Sequence, residues 1–152
     1  MNKLNVIYPL YEKLNQNANN VLIGGSLALQ LHGLNLDKKP EDIDLVIYKP
    51  TPHQEEILDL ISLIVPNPTS RDKYTRRSYK INLGSITLDI LVEKHVNIPE
   101  NLLYYKYQDS IFIKIQSIEK VMEARRSYNE LTLRKKDVVS SQKLKELNFN
   151  II

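Results

Sequence analysis

Residues 21–49 read VLIGGSLALQLHGLNLDKKPEDIDLVIYK. Val21 to Ile23 is a short apolar strand, and Gly24, Gly25 and Ser26 turn the chain. A short helix over 26–33 follows, with Leu27, Leu31 and Leu34 on one side and Gly33 as its stop. Residues 36–41 form a charged loop. Ile43 to Tyr48 is almost continuously apolar, as a strand buried in the middle of a sheet should be. Asp42 and Asp44 stand at its beginning.

Each half of this stretch has a chemical reading. Glycines let backbone amides approach an anion closely, and a helix start carries free N–H groups. The amides of Gly25 and Ser26, with the Ser26 hydroxyl, therefore suit a terminal phosphate. Alone, Gly-Gly is more often the mark of an ordinary turn. The acids say more. Residues i and i+2 of a strand share a face, about 6.5–7 Å apart. Carboxylates so placed can share one or two divalent ions, and hard oxygen ligands favour Mg2+ or Mn2+ over zinc. Asp89 is a third acid, set in the apolar run Ile-Thr-Leu-Asp-Ile-Leu-Val (86–92). An acid there needs a partner or a metal. Lys80 and Arg76, across a hairpin, are its alternative ion-pair partners.

Around this core the pattern predicts a helix over 3–16, carrying Leu4, Ile7, Tyr8, Tyr11 and Leu14, with Pro9 as its start or a kink. Thr51-Pro-His-Gln54 has the form of a capping box, opening a helix with Ile57, Leu58, Ile61 and Ile64 inward. Pro66 to Ser70 ends that helix. A hairpin follows, with Tyr79, Ile81 and Leu83 alternating, a turn at Gly84-Ser85 and a return strand over 86–92. Residues 95–110 read as irregular and tyrosine-rich, and Ile111–Ile115 as a strand. Ser117 caps a helix over 118–128, and a last helix runs over about 134–147. The class is α+β: a mixed, twisted sheet with flanking helices.

The chain has 152 residues, which suits one domain, with its core at about 20–93 and a helical part at about 117–147. Net charge is +3. Residues 1–110 hold 12 Lys/Arg against 13 Asp/Glu, and residues 111–152 hold 9 against 5, so the basic excess is C-terminal. That end suits a polyanion or a solvated helix face. With no cysteine, thiolate metal sites and Cys nucleophiles are excluded. His32, His53 and His95 are too scattered for a zinc motif. Neither a signal peptide nor a membrane-spanning run is visible, so the expected location is the cytoplasm.

The succession of apolar strand, Gly-Gly-Ser, helix ending in His-Gly, Asp-Ile-Asp-Leu-Val and Leu-Asp-Ile-Leu resembles the nucleotidyltransferase fold of the DNA polymerase beta superfamily. Within it, the chain looks most like the small abortive-infection-type toxin nucleotidyltransferases. Ser117-Ile-Glu-Lys-Val-Met-Glu-Ala-Arg-Arg, followed by Lys136-Asp137, resembles the helix and Lys-Asp pair such proteins place after their sheet. The resemblance implies that Gly24, Gly25, Ser26, Arg125 and Lys136 bind an NTP such as ATP. It implies that Asp42, Asp44 and Asp89 are the catalytic, metal-holding acids. The implied reaction moves an NMP to a hydroxyl, on a tRNA end or a protein, with an antitoxin as partner. A small antibiotic-like acceptor, or an inactive domain serving as a binding partner, are the alternatives. Two departures stand out. The stretch between Ser26 and Asp42 is long, at 15 residues, and Glu41 replaces a small polar residue before the first acid.

Overall fold

The computed structural model describes residues 3–34, 42–64, 69–72, 76–100 and 102–129. The elements are α1 (Lys3–Asn15), β1 (Val21–Gly24), α2 (Gly25–Leu31), β2 (Asp42–Tyr48), α3 (Pro52–Ile64), β3 (Thr69–Asp72), β4 (Arg76–Asn82), β5 (Thr87–Glu93), β6 (Leu103–Gln108), β7 (Ile111–Ile115) and α4 (Ile118–Asn129). Among the described residues the strands form one sheet in the order β3-β4-β5-β2-β1-β7-β6. The β2–β5 and β1–β7 pairs are parallel and the others antiparallel. The sheet is therefore mixed and the class is α+β.

Alternation along the strands sorts side chains between the two faces. Ile43, Leu45, Ile47, Leu88, Ile90 and Val92 are buried with Ile7, Leu14 and Leu58 in the main core. Truncating one of these to alanine costs about 2–5 kcal/mol. On the opposite face Leu22, Val46 and Tyr48 are covered by Leu91, Ile98 and Leu102. A third cluster joins Ala28, Leu29 and Leu34 of the α2 region to Ile118, Val121 and Met122 of α4.

The helix α1 runs through Pro9, whose ring lies on its exposed side. The Thr51–Gln54 capping box forms, and Gln54 does more than cap. Fully buried, its amide donates to Leu14 O (2.8 Å) and Asn20 Oδ1 (2.7 Å) and accepts from Asn20 Nδ2 (2.8 Å) and Thr51 N (2.9 Å). It thus ties the end of α1 to the starts of β1 and α3, with its polar atoms satisfied.

Four expectations need correcting. Residues 103–108, read as irregular, are the strand β6, paired antiparallel with β7. Tyrosine suits either face, so Tyr104, Tyr105 and Tyr107 masked the period of two: Leu103, Tyr105 and Tyr107 are half-buried and Tyr104, Lys106 and Gln108 exposed. Ile64 points outward, 79% exposed, because α3 passes the edge of the core after Ile61. Leu83 lies beyond β4, in the turn, where its N–H donates to Ile86 O (2.8 Å) and its side chain is exposed. The short strand β3 also begins inside the stretch that reads as a helix end. Among the described residues no helix is long and apolar enough to cross a membrane. The expected last helix over 134–147 lies outside the described residues.

Candidate functional site

The strand register does what sequence spacing cannot. Gly24 of β1 lies opposite Asp44 of β2, Asp44 is level with Asp89 of β5, and Asp89 is level with Lys80 of β4. Residues paired in register share a face, at a strand spacing of about 4.8 Å. One row across four strands therefore reads glycine, acid, acid, lysine. Asp42, Thr87 and Asn82 form the next row on that face.

The turn and the first acid of the row are in contact. Gly25 has φ +62°, a left-handed conformation that costs any L side chain roughly 1–2 kcal/mol. A β-carbon there would lie 1.9 Å from Asp44 Oδ2 and 2.9 Å from its Cγ. The space a side chain would fill is thus occupied by the carboxylate. Gly24, at the N-cap of α2, has no side chain with which to cap it. Ser26 sits half-buried one residue further on.

The three acids differ in setting. Asp42 is exposed at the start of β2, while Asp44 and Asp89 are half-buried. Oδ1 of Asp89 is closed off from solvent. Among the described residues no three His, Asp or Glu side chains are drawn together as a ready-made metal cluster. The donor chemistry nevertheless fits a hard cation. Two carboxylates stand side by side, a third lies one row away, and the side-chain-free turn lets its backbone lie against the first of them.

Other expected residues fall in different places. Arg125 lies on α4, and Lys136 and Asp137 lie outside the described residues. Tyr107 stacks on Tyr8 (4.8 Å between centroids) and bonds Asn5 through its hydroxyl, and Tyr105 packs against the main core. Tyr104 is exposed. Arg77 pairs with Glu55 and lies over the Tyr79 ring, so it belongs to the α3–β4 contact. His32 bonds the carbonyl of Gln116 through Nε2 (2.9 Å). A carbonyl only accepts, so this nitrogen carries the proton. The antiparallel β1–β2 pairing brings the turn and the Asp42–Asp44 acids together. Sequence reasoning missed Gln116, at the junction of β7 and α4. Its Oε1 accepts from Gly25 N (3.4 Å), and the only hint was its place just before the capping Ser117.

The chain matches no protein-family model and no curated protein in sequence. Solved structures do match. The lincosamide antibiotic adenylyltransferase LnuA, with lincomycin bound, shares 17% identity at a TM-score of 0.63, over 97% of this chain and 98% of that one. ANT(2")-Ia in complex with adenylyl-2"-tobramycin shares 15% at 0.60, over 97% and 90%. A solution structure of ANT(2'')-Ia shares 14% at 0.55, over 95% and 84%. The chain therefore has the nucleotidyltransferase fold.

Proposed function

We propose that this protein transfers a nucleoside monophosphate from an NTP to a hydroxyl group. The observation that carries the reading is the row formed by the Gly24–Gly25 turn, Asp44 and Asp89, level on three neighbouring strands. Phosphoryl-type transfer asks a protein mainly for positioning and charge stabilisation, and this row offers both.

The turn holds the triphosphate through the amides of Gly25 and Ser26 and the Ser26 hydroxyl. Asp44, Asp89 and Asp42 would hold Mg2+ or Mn2+. A bound divalent ion supplies charge neutralisation for the phosphates and a lower pKa for the acceptor hydroxyl. Asp89, on the side of the row away from the turn, takes the acceptor's proton. The acceptor oxygen bonds to the α-phosphorus, the bond from that phosphorus to the α–β bridging oxygen breaks, and pyrophosphate departs. Arg125 and Lys136 are further candidates for nucleotide contacts.

The bound lincomycin and adenylyl-tobramycin of the structural neighbours favour a small-molecule hydroxyl over a tRNA end or a protein side chain as acceptor. The test pairs each α-labelled NTP and Mg2+ with three acceptor sets: lincosamides and aminoglycosides, total RNA, and protein extract. Label on a small molecule, absent with Asp44→Asn, supports the reading. Label on RNA keeps the reaction and replaces the acceptor. Absence of transfer together with absence of Mg·NTP binding refutes both.

A further inference from the structure

We infer that Gln116 is a positioning residue that holds the phosphate-binding turn against Asp44. The inference rests on the role proposed for that turn. Gln116 directly follows β7, and three of its groups are tied to three points of one strand–turn–helix unit. Its backbone N–H donates to Ile23 O (2.8 Å), before the turn. Its side-chain Oε1 accepts from Gly25 N (3.4 Å), within the turn. Its backbone carbonyl accepts from His32 Nε2 (2.9 Å), at the end of α2. The side chain also lies against the position a β-carbon on Gly24 would take, with Oε1 2.8 Å from it.

These contacts answer a need the local sequence creates. Two successive glycines give the turn its close approach to Asp44, but also the greatest backbone freedom, so the turn requires an outside constraint. The N-cap is Gly24, which has no side-chain oxygen to offer. Gln116 supplies that oxygen from 91 positions away in sequence. Gly25 N–H can only donate, so the amide must present Oε1 to it. On the other side the turn bears on the Asp44 carboxylate. A side chain just after β7 thus acts through the turn on the first acid of the row. The bond is long, at 3.4 Å, which allows an arriving phosphate oxygen to replace it.

The experiment uses the full chain and begins without nucleotide. Amide hydrogen exchange at Gly25 is followed in the wild type, Gln116→Leu, Gln116→Glu and His32→Ala. The expected result is exchange about fivefold faster in Gln116→Leu, the scale of one lost hydrogen bond. Gln116→Glu keeps an acceptor oxygen and should restore protection. His32→Ala cuts only the other tie and should leave Gly25 unchanged. With nucleotide, Gln116→Leu should raise KM for Mg·NTP about fivefold, while His32→Ala stays within about twofold. Unchanged exchange in Gln116→Leu overturns the inference. Equal loosening by His32→Ala also does, since it would mark a general loss of packing. Faster exchange with an unchanged KM removes the link to nucleotide binding. The exchange arm needs no turnover, so a failed transfer assay counts against the proposed function and leaves the exchange result standing.

Discussion

Gly25→Ala asks whether contact between turn and carboxylate is built into the backbone. The new methyl meets two separate penalties. At φ +62° it costs roughly 1–2 kcal/mol through backbone conformation alone. It also arrives 1.9 Å from Asp44 Oδ2 and 2.9 Å from Cγ, so the carboxylate must rotate away or the turn must move. Overpacking of that kind costs about 1–3 kcal/mol. At about 2–4 °C per kcal/mol for a domain of this size, the melting temperature should fall by roughly 10 °C. Two controls separate the penalties. Gly33 has φ +92° and open space around its β-position, so Gly33→Ala should lose only the conformational part, about 4 °C. Gly24 has φ −119°, and its new methyl would meet the end of the Gln116 side chain, which can swing, and Val46 Cγ2 at 3.3 Å, which must give slightly, so that variant should lose about 1 kcal/mol, less than Gly25→Ala. Thermal melts and nucleotidyl-transfer rates on all three form the assay. Displacing Asp44 should also reduce transfer by about a hundredfold in Gly25→Ala and by little in Gly33→Ala. If Gly25→Ala melts with Gly33→Ala and keeps its rate, the claimed contact does not exist.

Further expectations follow from the same geometry. Asp44 and Asp89 stand level on adjacent strands, so Asp44→Asn or Asp89→Asn should lower transfer by more than about a hundredfold and remove the rise in melting temperature that Mg·NTP gives the wild type; transfer rates and melts with and without Mg·NTP check both halves. Gln54→Leu should cost about 2–4 kcal/mol in urea unfolding, because the buried Leu14 carbonyl and Asn20 Oδ1 lose their donor, with the KM for NTP unaffected. Burial pushes the Tyr11 hydroxyl above its usual pKa of 10.0, against a smaller lowering from the Lys114 N–H it accepts. The unfolded chain then loses this proton first, so the stability it contributes is present below pH 10 and falls as pH rises through the folded value. Tyr11→Phe should remove that part of the alkaline fall and cost about 1–3 kcal/mol at neutral pH, since Lys114 N–H loses its acceptor; urea melts between about pH 8 and 11 measure it.

The candidate site was partly legible because its pieces are local. Gly24 to Ser26 and Asp42 to Asp44 announce themselves by residue type and by the period of two. That Asp44 lies level with Asp89, and Gly24 with Asp44, is a matter of strand register, which no spacing within one strand contains. The contact of Gln116 with Gly25 spans 91 positions, and glutamine carries no distinctive signal at such a site. The strand β6 was hidden by tyrosines on both of its faces, and β3 by its shortness and polarity. Ile64 shows the converse limit: helical periodicity marks which side of α3 is apolar, but not where the core beneath it ends.

If the glycine turn and the Asp44–Asp89 pair act together on a nucleoside triphosphate, losing either acid must stop the transfer. The most direct measurement follows the fate of the α-phosphate. Wild type, Asp44→Asn and Asp89→Asn are each incubated with α-labelled NTP, Mg2+ and the small-molecule, RNA and protein acceptors, and both labelled product and released pyrophosphate are quantified. Equal amounts of transferred label and pyrophosphate are expected for the wild type, and neither for the two variants although both remain folded. Equal transfer by the wild type and both variants would contradict that joint action.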